Sequence, residues 1–103
     1  MHRLVEEKIP GIAEICARHR VKRLEVFGSV VGDRFDPDSS DIDFLVEFEA
    51  MSPKEHARSY LGLAEDLEAF FERSVDLIEF PAIRNQFFRQ SIEETRAVVY
   101  ASA

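Results

Sequence analysis

A chain of 103 residues makes one domain, spanning 1–103, with a single core and no room for a second domain to bind a large acceptor. Its 20 acidic and 13 basic residues leave a formal net charge of −7, which repels a phosphate backbone, so no direct nucleic-acid binding is expected. No stretch nears the roughly 20 apolar residues of a membrane span, MHRLVEEKIPGI lacks the apolar core of a signal peptide, and a lone Cys16 reads as a small buried hydrophobe in a reducing compartment. These features predict a cytoplasmic protein without a membrane partner.

Val5, Ile9, Ile12 and Cys16 recur every three or four residues and predict an amphipathic helix over 2–19, with Pro10-Gly11 able to kink it or split off its first turns. Residues 23–28 read as a strand, with Leu24 and Val26 alternating with Glu25 and Phe27 and with Gly28 closing it. A short helix or turn can follow Ser29. The turn formers of GDRFDPDSS mark 32–40 as a connection, and the next strand covers 42–48. Ser52, Pro53 and Glu55 spell an N-cap, a first helical residue and a capping box, and Tyr60, Leu63, Ala64, Leu67, Phe70 and Phe71 continue the helix to Glu72. SVDLIEF, 74–80, is strand-like with apolar residues on both faces, which predicts a place inside the sheet; Pro81 stops it. A helix over 82–94 and a last strand over 97–100 complete an α+β chain: a small mixed sheet of about four strands, covered by helices on one face and free for chemistry on the other.

Strand alternation puts Asp41 and Asp43 on one face and Ile42, Phe44, Val46 and Phe48 on the other. Two carboxylates at a strand mouth can point at one hard cation, and oxygen ligands suit Mg²⁺. On the pair alone, a half-exposed strand turning its charges to solvent fits equally well, since Glu47 shares that face. Asp76 adds weight: among Val75, Leu77 and Ile78 an unpaired charge is costly to bury and calls for a partner. If the two strands are neighbours, the three carboxylates can hold two Mg²⁺ ions of the kind that assist phosphoryl transfer, while Gly28 and Ser29 cradle a triphosphate.

VFGSVVGDRFDPDSSDIDFLVEF resembles the signature of the minimal nucleotidyltransferases (MNT domains) of the DNA polymerase β-like superfamily. Gly28-Ser29 closes a strand, 11 residues intervene, Asp41-Ile42-Asp43 follows, and Asp76 falls where the family's third carboxylate does. The resemblance extends over nearly the whole chain. It implies the polymerase β-like fold, Mg²⁺ as cofactor with two ions, and a nucleoside triphosphate, ATP, as donor. It also implies that Asp41, Asp43 and Asp76 are catalytic metal ligands, that Asp76 helps deprotonate the acceptor, and that Gly28 and Ser29 bind the β and γ phosphates. Val30-Val31-Gly32-Asp33-Arg34 departs from the family by setting the arginine later and adding an acid. Many members resemble antitoxins that transfer AMP to a tyrosine of a HEPN-type RNase toxin, which implies a HEPN partner and a homo- or hetero-oligomer. A module that binds nucleotide or toxin without chemistry is the alternative, drawing on the displaced Arg34, and transfer to a small molecule is a third.

Other features bear less on function. His2, His19 and His56 are too scattered for a zinc site and read as surface or helix-end residues. Phe70, Phe71, Phe87 and Phe88 read as core, and Arg84, Arg89 and Arg96 as a solvated face.

Overall fold

Ile42, Phe44 and Val46 are completely buried at alternate positions of one strand, and the rest of the architecture is arranged around that strand. In the computed structural model the described residues are 1–32, 35–36, 41–79 and 96–102. Their order is α1 (Arg3–Glu6), α2 (Ile9–Arg18), β1 (Val21–Phe27), a 3-10 turn (Gly28–Val30), β2 (Ile42–Phe48), α3 (Pro53–Phe71), β3 (Val75–Glu79) and β4 (Ala97–Ala101). The predicted first helix is split in two, with Pro10 in the first turn of α2, where its missing N–H costs nothing. The helix proposed over 82–94, and with it Phe87, Phe88, Arg84 and Arg89, lies outside the described residues.

The strands form one mixed sheet in the order β3-β2-β1-β4. β1 is antiparallel to β2 and β4, whereas β2 and β3 are parallel. A parallel neighbour needs a crossover, and α3 supplies it. Ser52 caps α3 by accepting from the Glu55 backbone N–H at 3.3 Å, and Pro53 is its first residue, as the sequence predicts. Leu63, Leu67 and Phe71 of α3 join Ile12, Ile15 and Cys16 of α2 over Leu24, Val26 and the buried β2 residues. Each large side chain removed from water there contributes about 1.5–3 kcal/mol. Lys8 ties the helices together, donating to the Phe70 carbonyl at the end of α3 from 3.1 Å, with its ammonium 4.5 Å from the Phe70 ring centre.

One expectation is corrected. Among the described residues β3 pairs with β2 alone, so there it is an edge strand and not the interior strand expected of SVDLIEF. Its two apolar faces have separate causes: Leu77 packs into the main core, while Ile78 meets Phe27 and Leu45 on the opposite face. That opposite face, which carries the aspartates of β2 and β3, also has Phe27 and Leu45 buried and Glu25 2% exposed. No helix among the described residues is long and apolar enough to cross a membrane.

Candidate active site

β1 ends at Phe27, and the next residue must turn with φ at +73°, a conformation that glycine reaches without cost. Gly28 meets a second requirement at the same point: a Cβ there would lie 2.6 Å from Oδ2 of Asp43. The turn is closed by the Val31 N–H donating to the Gly28 carbonyl at 3.2 Å, with Ser29 half-buried between them. Gly28 of the glycine-serine pair predicted from sequence therefore lies directly against one of the predicted carboxylates, Asp43.

Parallel pairing of β2 and β3 sets Asp43 opposite Asp76, and antiparallel pairing of β1 and β2 sets Phe27 opposite Asp43. Adjacent strands are about 4.8 Å apart, so both carboxylates leave the same face at the same height. Asp41, two residues earlier, belongs to that face as well. The electrostatics follow from this arrangement. The Asp43 carboxyl is pushed up from 3.8 to about 6, first by burial and then by the charges of Asp76 and Asp41. Asp76 itself is exposed, so the burial cost anticipated for it falls on half-buried Asp43 instead. The sequence showed apolar neighbours around Asp76 but not that its strand would form the sheet edge. Among the described residues no ion pair involves any of these three aspartates.

Three carboxylates on one face repel one another, and no group of three or more histidine, cysteine, aspartate or glutamate side chains among the described residues is gathered tightly enough to form a ready-made ligand cage. The donor set still fits a hard divalent cation: it is all carboxylate oxygen, it carries uncompensated charge, and Gly28 leaves space beside Asp43. Asp43 and Asp76 could hold such an ion across the strand pair, with the Asp41 charge close enough to act on Asp43.

The histidines keep to helix ends and ion pairs. His2 caps α1, accepting from the Leu4 N–H on Nδ1 at 3.0 Å; His19 meets Asp66 at 2.6 Å and His56 meets Glu79 at 2.7 Å. Sequence reading did not single out Glu25, whose Oε1 lies 3.3 Å from Arg23 and 3.7 Å from Arg96 while Oε2 is buried without a hydrogen bond. Alternation along β1 assigned it to the second face, but nothing in the pattern marked that position as dry.

An open mixed sheet with a glycine-serine turn beside in-register aspartates is the frame of a nucleotide-transferring domain. The chain belongs to the nucleotidyltransferase domain family, whose model matches residues 9–99. It is similar to a solved structure described as a minimal nucleotidyltransferase, at 27% identity over 94% of this chain and 95% of that one, with a TM-score of 0.68. Two more distant structures share the fold. One is a Shewanella oneidensis complex of a tri-AMPylated HEPN toxin with its MNT antitoxin, at 15% identity over 95% of this chain and 73% of that one, TM-score 0.62. The other is a toxin-antitoxin complex with AMP-PNP, at 17% identity over 91% and 73%, TM-score 0.64. No match is found among curated proteins.

Proposed function

We propose that this nucleotidyltransferase moves AMP from ATP to a hydroxyl of a partner protein, a tyrosine of a HEPN-type toxin, and so acts as an antitoxin with Mg²⁺ as its cofactor. The observation that carries the chemistry is the in-register pair Asp43 and Asp76, with Asp43 against the Gly28 turn. The partner is suggested by the distant structural neighbours, which are complexes of MNT antitoxins with HEPN toxins, one of them AMPylated.

In this reading Asp41, Asp43 and Asp76 hold two Mg²⁺ ions. Bound there, the ions would offset the triphosphate charge and stabilise the entering and leaving oxygens. Gly28 and Ser29 receive the β and γ phosphates: the glycine lets the backbone approach closely, and the serine supplies a hydroxyl donor. The acceptor oxygen forms a bond to the α-phosphorus as the bond to the β-phosphate breaks, releasing pyrophosphate. The acceptor proton passes to Asp76, whose exposure leaves its carboxylate open to an incoming hydroxyl.

The test is transfer of label from α-labelled ATP to a co-expressed HEPN toxin, with and without Mg²⁺. Mg²⁺-dependent label on a toxin tyrosine, lost in Asp43→Asn, is expected. Neutralisation of the toxin with no label transferred would leave a binding module in place of an enzyme.

A further inference from the structure

Phe35 lies in the connection between the 3-10 turn and β2, a segment whose composition predicts solvent-facing turns, yet it is only 8% exposed and belongs to the main core. Two side chains hold it. The His2 ring is centred 4.8 Å away, tilted by 55°, and the Arg73 guanidinium lies 5.3 Å from the ring centre. Both contacts are of attractive types, an inclined ring pair and a cation over an aromatic face.

Each member of this stack is tied to a different part of the candidate site. The His2 backbone N–H donates to the Val30 carbonyl at 2.7 Å, which anchors the N-terminal segment on the turn that Gly28 opens. The His2 ring is held in turn by its Nδ1 cap on α1. Phe35 precedes Asp41 by six residues along the chain. Arg73 precedes Asp76 by three, and the intervening Ser74 carbonyl accepts from the Ile42 N–H at 3.4 Å, at the point where β2 and β3 begin side by side. Glu72, with φ at 53°, turns the end of α3 so that Arg73 comes back over the ring. One contact cluster thus joins the turn to the approach to Asp76.

We propose that Phe35, gripped between His2 and Arg73, is a positioning residue that sets the Gly28–Ser29 turn at a fixed separation from the three aspartates and so governs nucleotide binding there. This inference rests on the nucleotidyltransferase reading of the site. Carboxylates and phosphate donors act together only when held within a fraction of an ångström of the productive geometry. The sheet fixes Asp43 and Asp76 relative to each other. The turn lies outside the strands and depends on a tether of this kind.

The experiment compares wild type with Phe35→Leu, Phe35→Tyr and His2→Asn. Leucine keeps the bulk of the anchor without a ring, tyrosine keeps the ring, and asparagine keeps an acceptor for the α1 cap while removing the stacking partner. Calorimetry with AMP-PNP and Mg²⁺ reads the site, thermal melts confirm folding, and hydrogen exchange at the Val31 amide reads the turn without any ligand. For folded Phe35→Leu and His2→Asn, AMP-PNP affinity is expected to fall by about 10- to 100-fold, with faster Val31 exchange, and Phe35→Tyr should restore both. Unchanged affinity in folded Phe35→Leu, or a tyrosine variant as weak as the leucine one, overturns the proposal. If wild type itself does not bind AMP-PNP, the functional reading fails, and the exchange measurement decides the clamp separately: equal Val31 exchange in wild type and Phe35→Leu overturns it.

Discussion

At the scale of single residues the telling group is Asp43, because its environment acts against its charge. Its carboxyl is raised to about 6, so the folded chain holds this proton more tightly than the unfolded chain does. Between pH about 4 and about 6 folding takes up a proton, and stability must fall as pH rises through that window. The deficit is absent below it and complete above it. A shift of about two units is worth at most about 3 kcal/mol, and partial exposure of the side chain trims this to roughly 1–2 kcal/mol. Asp43→Asn should therefore match wild type near pH 3.5 and exceed it by that amount above pH 7 in chelator-treated protein, as read by urea melts at both pH values. Parallel pH profiles for the two proteins would mean that Asp43 is an ordinary solvated carboxylate. Cys16 is the opposite case, a group that burial silences. Fully buried, with its thiol pushed up to about 12, it should resist alkylation at pH 8 until the protein is unfolded, since the thiolate is the reactive form. Rapid labelling of native protein would contradict the packing of α2.

At the scale of elements, the strands and α3 were legible from sequence because their signals are local. β2 begins and ends where alternation of Ile42, Phe44, Val46 and Phe48 places it, and the Ser52–Pro53 start of α3 needs only its own backbone to form. What could not be read was the order of strands. Apolar residues on both faces of SVDLIEF are consistent with a central strand or with an edge strand serving two clusters, and the pairing partner decides between them. The exposure of Asp76 follows from that same choice. The Phe35 stack was hidden for a related reason, since its members come from three distant segments and share no spacing. Helix ends offer a test on this scale. Glu72 is exposed in the left-handed region at the end of α3, a conformation costing a non-glycine residue roughly 1–2 kcal/mol. Glycine's larger unfolded-state entropy takes back about 0.5–1 kcal/mol, so Glu72→Gly should raise stability by about 0.5–1 kcal/mol. Gly11 carries the opposite prediction, because a Cβ there would run into the Phe70 ring between α2 and α3. Gly11→Ala should cost about 1–3 kcal/mol through overpacking despite alanine's better helix propensity. Denaturant midpoints with unchanged slopes check both, and a stabilised Gly11→Ala would show that the helix contact is looser than described.

For the whole molecule, the distribution of charge matters more than its sum of −7. Several acids away from the candidate site are matched: Asp66 with Arg18 and His19, Glu55 with Arg20, Glu47 with Lys22, and Glu7 with Arg3. At the ends of β1, β2 and β3, by contrast, Asp41, Asp43 and Asp76 share one face without a matching cation among the described residues. A divalent cation that binds the folded state there must stabilise the entire domain by mass action. At a free Mg²⁺ concentration tenfold above the dissociation constant the gain is about 1.4 kcal/mol, which in a domain of this size is a rise of roughly 6–10 °C in melting temperature. Asp41→Asn/Asp43→Asn should begin with a higher melting temperature in chelator, because its repulsion is already relieved, and then respond little to Mg²⁺ or Mn²⁺. Ca²⁺ serves as a comparison for charge alone, since its larger radius suits a site with more ligands than three carboxylates provide. If wild type and the double variant rise equally with added Mg²⁺, the ion acts on diffuse surface charge, and the three aspartates lose their claim to a common site.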